Sequence, residues 1–355
     1  MKRILLGGAG GAPTNNVVMS LRDGGSGDHL VGMSSVASDL LLAEVDERHV
    51  VPNATDAGYP AALARVIQTR RPDFLHVQHD FEVRAVSRLR GEIAASGVRL
   101  YLPDPETVER CVDKGVSAEL WRREGVPTPE TVLLREPADL SRALERFGGR
   151  LWLRATEGGG GRGALPVRQP EELEFARLWV ERFGGWGTFT AAELLTDETV
   201  TWLSIWFQGD LVVAQTRRRR GWSFGDRTLS GVTGVTRVSE TCSDEAVTEV
   251  ALAAIRAVGD RPHGIFGVDM TYDGDGRPRV TEINIGRFFT TVYFLARAGL
   301  NMPQIYRDIA LEGRFPTLAR RVNPLPDGLV WIRGMDVAPL LTNRAELDAL
   351  EQRPG

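Results

Sequence analysis

Along the first hundred positions, short apolar runs alternate with segments of helical period. Arg3–Leu6 and residues 30–33 and 73–77 read as strands. Residues 13–21, Tyr59–Arg70 and residues 82–95 repeat their apolar positions every three or four, the mark of amphipathic helices. Val50-Val51 and residues 98–100 add brief strands, so the order predicts a parallel sheet covered by helices, Rossmann-like in class. Pro103 and Pro105 then mark a boundary, and residues 107–123 predict one helix ending before Gly125. Further on, strands are expected at 130–134, around Arg154, from Ala164, and at 188–195, Thr199–Phe207, 211–216 and 232–238. Helices are expected at 171–183, 243–258, 291–298 and 303–311, and a last strand at 329–333. The expected class is α/β, turning to α+β in the central part.

The most informative stretch is 264–287, GIFGVDMTYDGDGRPRVTEINIGR. Phe266, Val268, Met270 and Tyr272 fall on one side of a strand, which turns Asp269 to the other. Asp273-Gly274-Asp275-Gly276 is a hairpin signal, and a loop of two or four residues there sets Asp269 opposite Val280. Glu282 then lies diagonally across on the same face, with Asn284 two residues on. Two carboxylates and an amide oxygen are hard donors of the kind that suit Mg²⁺. An EF-hand ending at Glu282 is rejected, because Thr271 stands where the first Asp belongs and the flanks alternate as strands. A surface hairpin with its acids in solvent is the bland alternative.

The chain of 355 residues, 42% hydrophobic and 25% charged, has room for two or three domains. A net charge of −4 and a pI near 5.9 argue against a general nucleic-acid binder, despite the run Arg217–Arg218–Arg219–Arg220. Cys111 and Cys242 stand alone, without zinc spacing or a disulfide framework, so a reducing cytoplasm is the expected compartment. Neither a signal peptide nor a membrane span is read.

Two glycine-rich turns differ in meaning. Gly7-Gly8-Ala9-Gly10-Gly11 ends the first strand, but Pro13 replaces the third glycine of a dinucleotide fingerprint, and the next strand ends in Ser34-Ser35 rather than an acid. A structural turn is favoured there over an NAD site. In Thr156-Glu157 followed by Gly158, Gly159, Gly160, Gly161, Arg162 and Gly163, the glycines let backbone N–H groups close over phosphate oxygens, without a Walker lysine, and a merely flexible hairpin tip is the equal alternative. His79, Asp80 and Glu82 follow a strand end where ligands of α/β sheets lie, although Asp80 reads equally well as a helix cap. Lys114 is one of only two lysines, with Lys2, against forty-one arginines, which suggests that an ammonium is needed at that position.

Taken together, the glycine turn, the DKG-to-GVPTP segment, RATEGGGGRG, ELLTDE and GVDM…EINIGR, in that order over about residues 2–315, resemble the ATP-grasp superfamily. The likeness is strongest to its branch akin to the carbamoyl-phosphate synthase large chain and stand-alone carboxylate–amine ligases. The resemblance implies a Rossmann-like pre-ATP-grasp domain at 1–103, one lobe with a glycine lid at 104–186, a second with the metal site at 187–323, and a C-terminal extension at 324–355. It implies that Lys114, Arg154 and Gly158–Gly163 meet the phosphates of ATP, Glu193 and the Leu194-Leu195 backbone the adenine, and Glu198 the ribose. Asp269, Glu282 and Asn284 would hold Mg²⁺, two ions for which Mn²⁺ can substitute. Arg287, Arg217 and Lys114 are the catalytic candidates, facing the transferred phosphoryl group or the substrate. Arg154 departs from the family, which has lysine there.

The implied activity is phosphorylation of a small-molecule carboxylate, with an amine then displacing phosphate from the acyl phosphate to leave an amide. Its rivals are a carbamate-phosphorylating enzyme and a nucleotide-binding regulator without turnover. The implied partners are small molecules, amino acids among them, and a second copy of the chain through its N-terminal domain.

Overall fold

The computed structural model describes residues 1–335 and 340–351. The first quarter alternates as β1 (Arg3–Leu6), α1 (Ala12–Asp23), β2 (His29–Ser34), α2 (Ala37–Leu42), β3 (Glu47–Val50), α3 (Tyr59–Arg70), β4 (Phe74–His76), α4 (Asp80–Arg88) and α5 (Arg90–Ala95). Its strands form a parallel sheet in the order β3-β2-β1-β4. The single helix expected over 82–95 is two, divided at Leu89. Residues 98–100 contribute only an isolated bridge from Arg99 to Phe74.

The helix expected over 107–123 is likewise two, α6 (Pro105–Val112) and α7 (Lys114–Arg123). Asp113 between them is extended, and its carboxylate accepts from Gly115 N at 2.8 Å and Val116 N at 3.1 Å. An aspartate cap satisfies N–H groups that would otherwise be orphaned, so it starts a new helix on Lys114. The Lys114 N–H itself donates to Thr156 O at 2.8 Å, which ties the helix start to the strand that enters the glycine loop.

A small antiparallel sheet in the order β5-β8-β6-β7 comprises β5 (Thr131–Leu134), β6 (Leu151–Ala155), β7 (Leu165–Val167) and β8 (Phe189–Glu193), with α8 (Pro137–Arg146) and α9 (Leu173–Phe183) packed against it. The third sheet takes β9 (Thr199–Phe207), β10 (Asp210–Trp222), β11 (Thr236–Thr241), α10 (Glu245–Val258) on one face, and the hairpin β12 (Gly264–Tyr272) and β13 (Pro278–Ile285). After α11 (Val292–Arg297) and α12 (Met302–Glu312) come β14 (Leu329–Ile332), β15 (Leu340–Asn343) and α13 (Arg344–Glu351). The order is β13-β12-β9-β10-β11-β14-β15, so the C-terminal strands extend this sheet. β10 runs six residues past its expected end, because the arginine run is paired strand on both sides.

The packing follows the alternation in the sequence. Phe266, Val268 and Met270 are fully buried beneath α10, with Trp121 of α7 closing the same core and donating its indole N–H to Ala254 O at 3.1 Å. A second core, around Phe288, Phe294 and Tyr306, joins the first sheet to the third. Among the described residues, no helix is long and apolar enough to cross a membrane.

Candidate active site

The hairpin register places Asp269 differently from expectation. The turn takes five residues, 273–277, since Tyr272 pairs with Pro278, and a bulge at Thr281 then shifts the ladder by one more. Asp269 therefore faces Glu282 directly rather than Val280. The bulge is itself used: Thr281 Oγ1 donates to Asp269 O at 3.0 Å, and the Thr281 carbonyl accepts from Arg154 at 2.5 Å. Bulges re-aim side chains in this way where a strand must serve a site.

Across the sheet, Arg217, Thr201, Asp269 and Glu282 pair in one register row through β10, β9, β12 and β13. Directly paired residues share a face, so one row carries a cation, a hydroxyl and two carboxylates toward the same side. Arg219, two residues along β10, shares that face, and its guanidinium lies 3.5 Å from Asp269 Oδ1 and 3.9 Å from the Trp222 ring centroid. Arg217 and Arg219 are thus the inward pair of the run, while Arg220 bonds Glu240 at 2.7 Å.

Arg217 is only 2% exposed and lies over Phe289, with Thr236 and Ser239 hydroxyls as its neutral partners and its Nε without one. Burial, then the neighbouring Arg219, lowers its pKa. Asp269 accepts from the Thr201 hydroxyl and, at 2.9 Å, from Asn284 Nδ2. Burial raises its carboxyl, but Arg219, the Thr201 bond and Arg217 outweigh this and hold the pKa below the ordinary value.

Two further groups of cations close the site. Lys114 Nζ lies 3.8 Å from Glu282 and donates to Gly158 O at 2.6 Å, and an Arg154 nitrogen lies 3.7 Å from the same Glu282 oxygen. Burial pulls the Lys114 pKa down, with Glu282 opposing it. On the other side, Arg287 Nε donates to Asp80 Oδ1 at 2.5 Å and a second nitrogen to Oδ2 at 3.2 Å, a fork that fixes its plane. Arg287 also donates to Asn284 Oδ1. Asp80 is the first residue of α4 and makes no cap, so its place is this ion pair. Burial raises the Asp80 carboxyl, but the Arg287 charge prevails and its pKa falls below the ordinary value.

The glycine loop rests on this cluster. A Cβ on Gly159 would stand 3.2 Å from Asp80 Oδ2, and one on Gly161, at φ +72°, 2.7 Å from the Val232 carbonyl oxygen. Gly234, at φ +71°, packs so closely that its Cβ would lie 2.5 Å from Gly160 Cα. A second loop, 223–235, thus clasps the first by bare backbone, a feature that sequence reading missed. The strand expected at 232–238 starts only at Thr236 for this reason. Signals were present in Gly231 and Gly234, and Thr201 could have been found by counting register along β9.

Glu193 ends β8, and Leu194, Leu195 and Glu198 lie on the connection from β8 to β9. Glu193 Oε2 accepts from Glu130 N at 2.8 Å, Glu198 is exposed, and the Tyr272 N–H donates to Glu198 O at 3.0 Å. Among the described residues, no three His, Cys, Asp or Glu side chains gather at metal spacing. The donor set of Asp269 and Glu282 fits a hard divalent cation; Asn284 joins them only by turning its amide, which exchanges its bonds to Asp269 and Arg287 for one Oδ1 donor on the Asp269 side. Lys114, Arg154, Arg217, Arg219 and Arg287 outnumber Asp80, Asp269 and Glu282, the balance that a polyphosphate matches.

No family model matches the sequence. A D-alanine--D-alanine ligase from Chromohalobacter salexigens is 28% identical over 178 residues, 49% of this chain and 54% of that protein. The chain thus spans about half the length of that curated relative. Among solved structures, the biotin carboxylase domain dimer of the Hydrogenobacter thermophilus 2-oxoglutarate carboxylase, in complex with MgADP, ADP and bicarbonate, superposes with a TM-score of 0.71 at 18% identity, over 94% of this chain and 74% of that one. An L-amino acid ligase from Bacillus licheniformis gives 0.67 at 16% identity, over 93% and 79%.

Proposed function

On the ATP-grasp fold that this chain has, we propose an ADP-forming ligase that phosphorylates a small-molecule carboxylate with ATP and couples it to an amine. The observation that carries the reading is the row Arg217–Thr201–Asp269–Glu282 with Lys114, Arg154 and Arg287 around it, under a backbone-clasped glycine loop.

Asp269 and Glu282, joined by the turned Asn284, would hold Mg²⁺, which when bound supplies charge neutralisation at the phosphate oxygens. Lys114 and Arg154 bind the phosphates, the N–H groups of Gly158–Gly163 cover them, and Glu193, Leu194, Leu195 and Glu198 take the nucleoside. Arginine at 154 serves because its guanidinium spans from Glu282 to the Thr281 carbonyl, two anchors that a point-like ammonium would not join. Arg287, held in plane by Asp80, faces the phosphoryl group in flight, where a preorganised cation acts most strongly. A carboxylate oxygen bonds to the γ-phosphorus as the bond to ADP breaks. The amine nitrogen then attacks the acyl carbon, phosphate departs, and the nitrogen sheds a proton. The clasped loops exclude water from that acyl phosphate. The buried, unpaired Cys111 and Cys242 suit a reducing compartment.

The test supplies carboxylate and amine pairs and follows ADP release and product mass. ADP is expected only with both substrates present. ADP formed with the carboxylate alone, with a stable acyl phosphate, would support a kinase, and nucleotide binding without turnover for any pair would support a regulator.

A further inference from the structure

Beside the catalytic cluster lies a cavity of about 300 Å³ that none of the steps above uses. It sits between the first glycine turn, the start of α1 and α2, with Gly10, Asn15, Asn16, Leu42 and Glu44 on one side and Arg333 on the other. Its volume is at the lower end of those that hold small metabolites. It opens beyond the carboxyl end of β1 in a parallel sheet, where α/β folds take their ligands.

Three observations give the cavity a chemistry. Arg333 follows β14, is half-buried, and spends one nitrogen on the Thr290 carbonyl at 3.1 Å; among the described residues it has no carboxylate partner. Burial lowers its pKa, as expected of a cation without a counter-charge. Asn15 Oδ1 is buried and unpartnered while its Nδ2 donates to Gly10 O at 3.1 Å. The cavity also adjoins the catalytic segment: Asn16 Oδ1 accepts from Tyr293 N at 3.2 Å, and Thr290 stands three residues after Arg287. Three residues of chain span about 10 Å at most.

We propose that this cavity is the acceptor subsite, where Arg333 binds the anionic end of the amine substrate while its amine reaches the acyl phosphate beside Arg287. The inference rests on the ligase reading and narrows it: the nucleophile is an amine that also bears a carboxylate or a phosphate. Glu44 at the rim opposes the anion, and the Asn15 oxygen is free to accept from an N–H or O–H of the bound molecule.

The experiment compares matched amines in the ADP-release assay: glycine with glycinamide, and phosphoethanolamine with ethanolamine. In the wild type, one anionic member of these pairs is expected to exceed its neutral partner in kcat/KM by roughly ten- to a hundredfold, and the pair that does so names the anion. Arg333→Ala should erase that ratio by raising the amine KM while kcat holds, Arg333→Lys should restore part of it, and the exposed Glu44→Gln should increase it. Equal use of charged and neutral amines by wild type, or a ratio that Arg333→Ala leaves intact, overturns the subsite while leaving the ligase standing. If no pair gives ADP, calorimetry with glycine and with inorganic phosphate decides: binding lost in Arg333→Ala supports the site, and binding absent or unchanged rejects it.

Discussion

Asp269 and Glu282 face each other across the hairpin only because Thr281 is bulged out of the ladder between them. The same bulge turns a carbonyl to Arg154, so one extra residue sets both the carboxylate pair and a cation over it. Glu282→Gln keeps the shape and removes the charge that Lys114 and Arg154 share. Turnover is expected to fall by about 10²-fold or more, as for loss of a preorganised electrostatic group. Steady-state ADP release measures it, and a near-normal rate would remove Glu282 from the site.

Asp80→Asn leaves Arg287 with a weaker partner. Removing one member of such a largely buried pair destabilises by about 3 kcal/mol, visible in urea unfolding. A guanidinium displaced by an ångström would lower kcat about 10²-fold. The KM for ATP should change little, since Lys114 and Arg154 remain. A large rise in that KM with kcat preserved would show that Arg287 acts in binding instead.

Gly234→Ala forces a Cβ to within 2.5 Å of Gly160 Cα and puts alanine at φ +71°, a left-handed strain of about 1–2 kcal/mol. The two loops must part. Water then reaches the acyl phosphate, so ADP formed per amide made should rise above one. Coupled ADP detection and product mass give that ratio, and a ratio that stays at one would show that the clasp does not guard the intermediate.

Glu82 is buried against Gly7, its Oε1 accepting from Tyr59 at 3.0 Å, and among the described residues no cation pairs with it. Burial pushes its carboxyl up from 4.5 to about 7, with the Tyr59 bond opposing. Below pH 4.5 folded and unfolded chains both carry the proton; between 4.5 and about 7 only the folded chain keeps it. Its contribution is therefore fully present at low pH and is lost as pH rises to 7, by up to roughly 3 kcal/mol. Glu82→Gln should flatten that part of the pH–stability curve. Unfolding midpoints at pH 5 and 8 test it, and an unchanged difference between them would contradict it.

The sheet classes, the glycine loop and the two acids of the hairpin were legible because each rests on local pattern: alternation, a run of glycines, a turn signal. What failed to show locally was set by distant partners. The break at Asp113 follows from its own capping carboxylate and from Thr156, some forty residues on. The length of β10 follows from β9 and β11 pairing over the arginines. Asp80 read equally as a helix cap or as a ligand contact, and its partner Arg287, which comes from the far end of the chain, was foreseen by neither reading. The hairpin turn was misread by one residue and the bulge added another, and only their sum brings Glu282 opposite Asp269.

If the chain is the ligase proposed above, the fork between Asp80 and Arg287 makes the opening sheet a working part of its phosphoryl-transfer site, not merely a neighbour. A fragment starting near residue 104 could keep Lys114, Arg154 and the hairpin yet leave Arg287 untethered. It follows that grafting another leading domain onto this chain, as a route to new acceptors, must carry an acid at the start of the helix after its fourth strand.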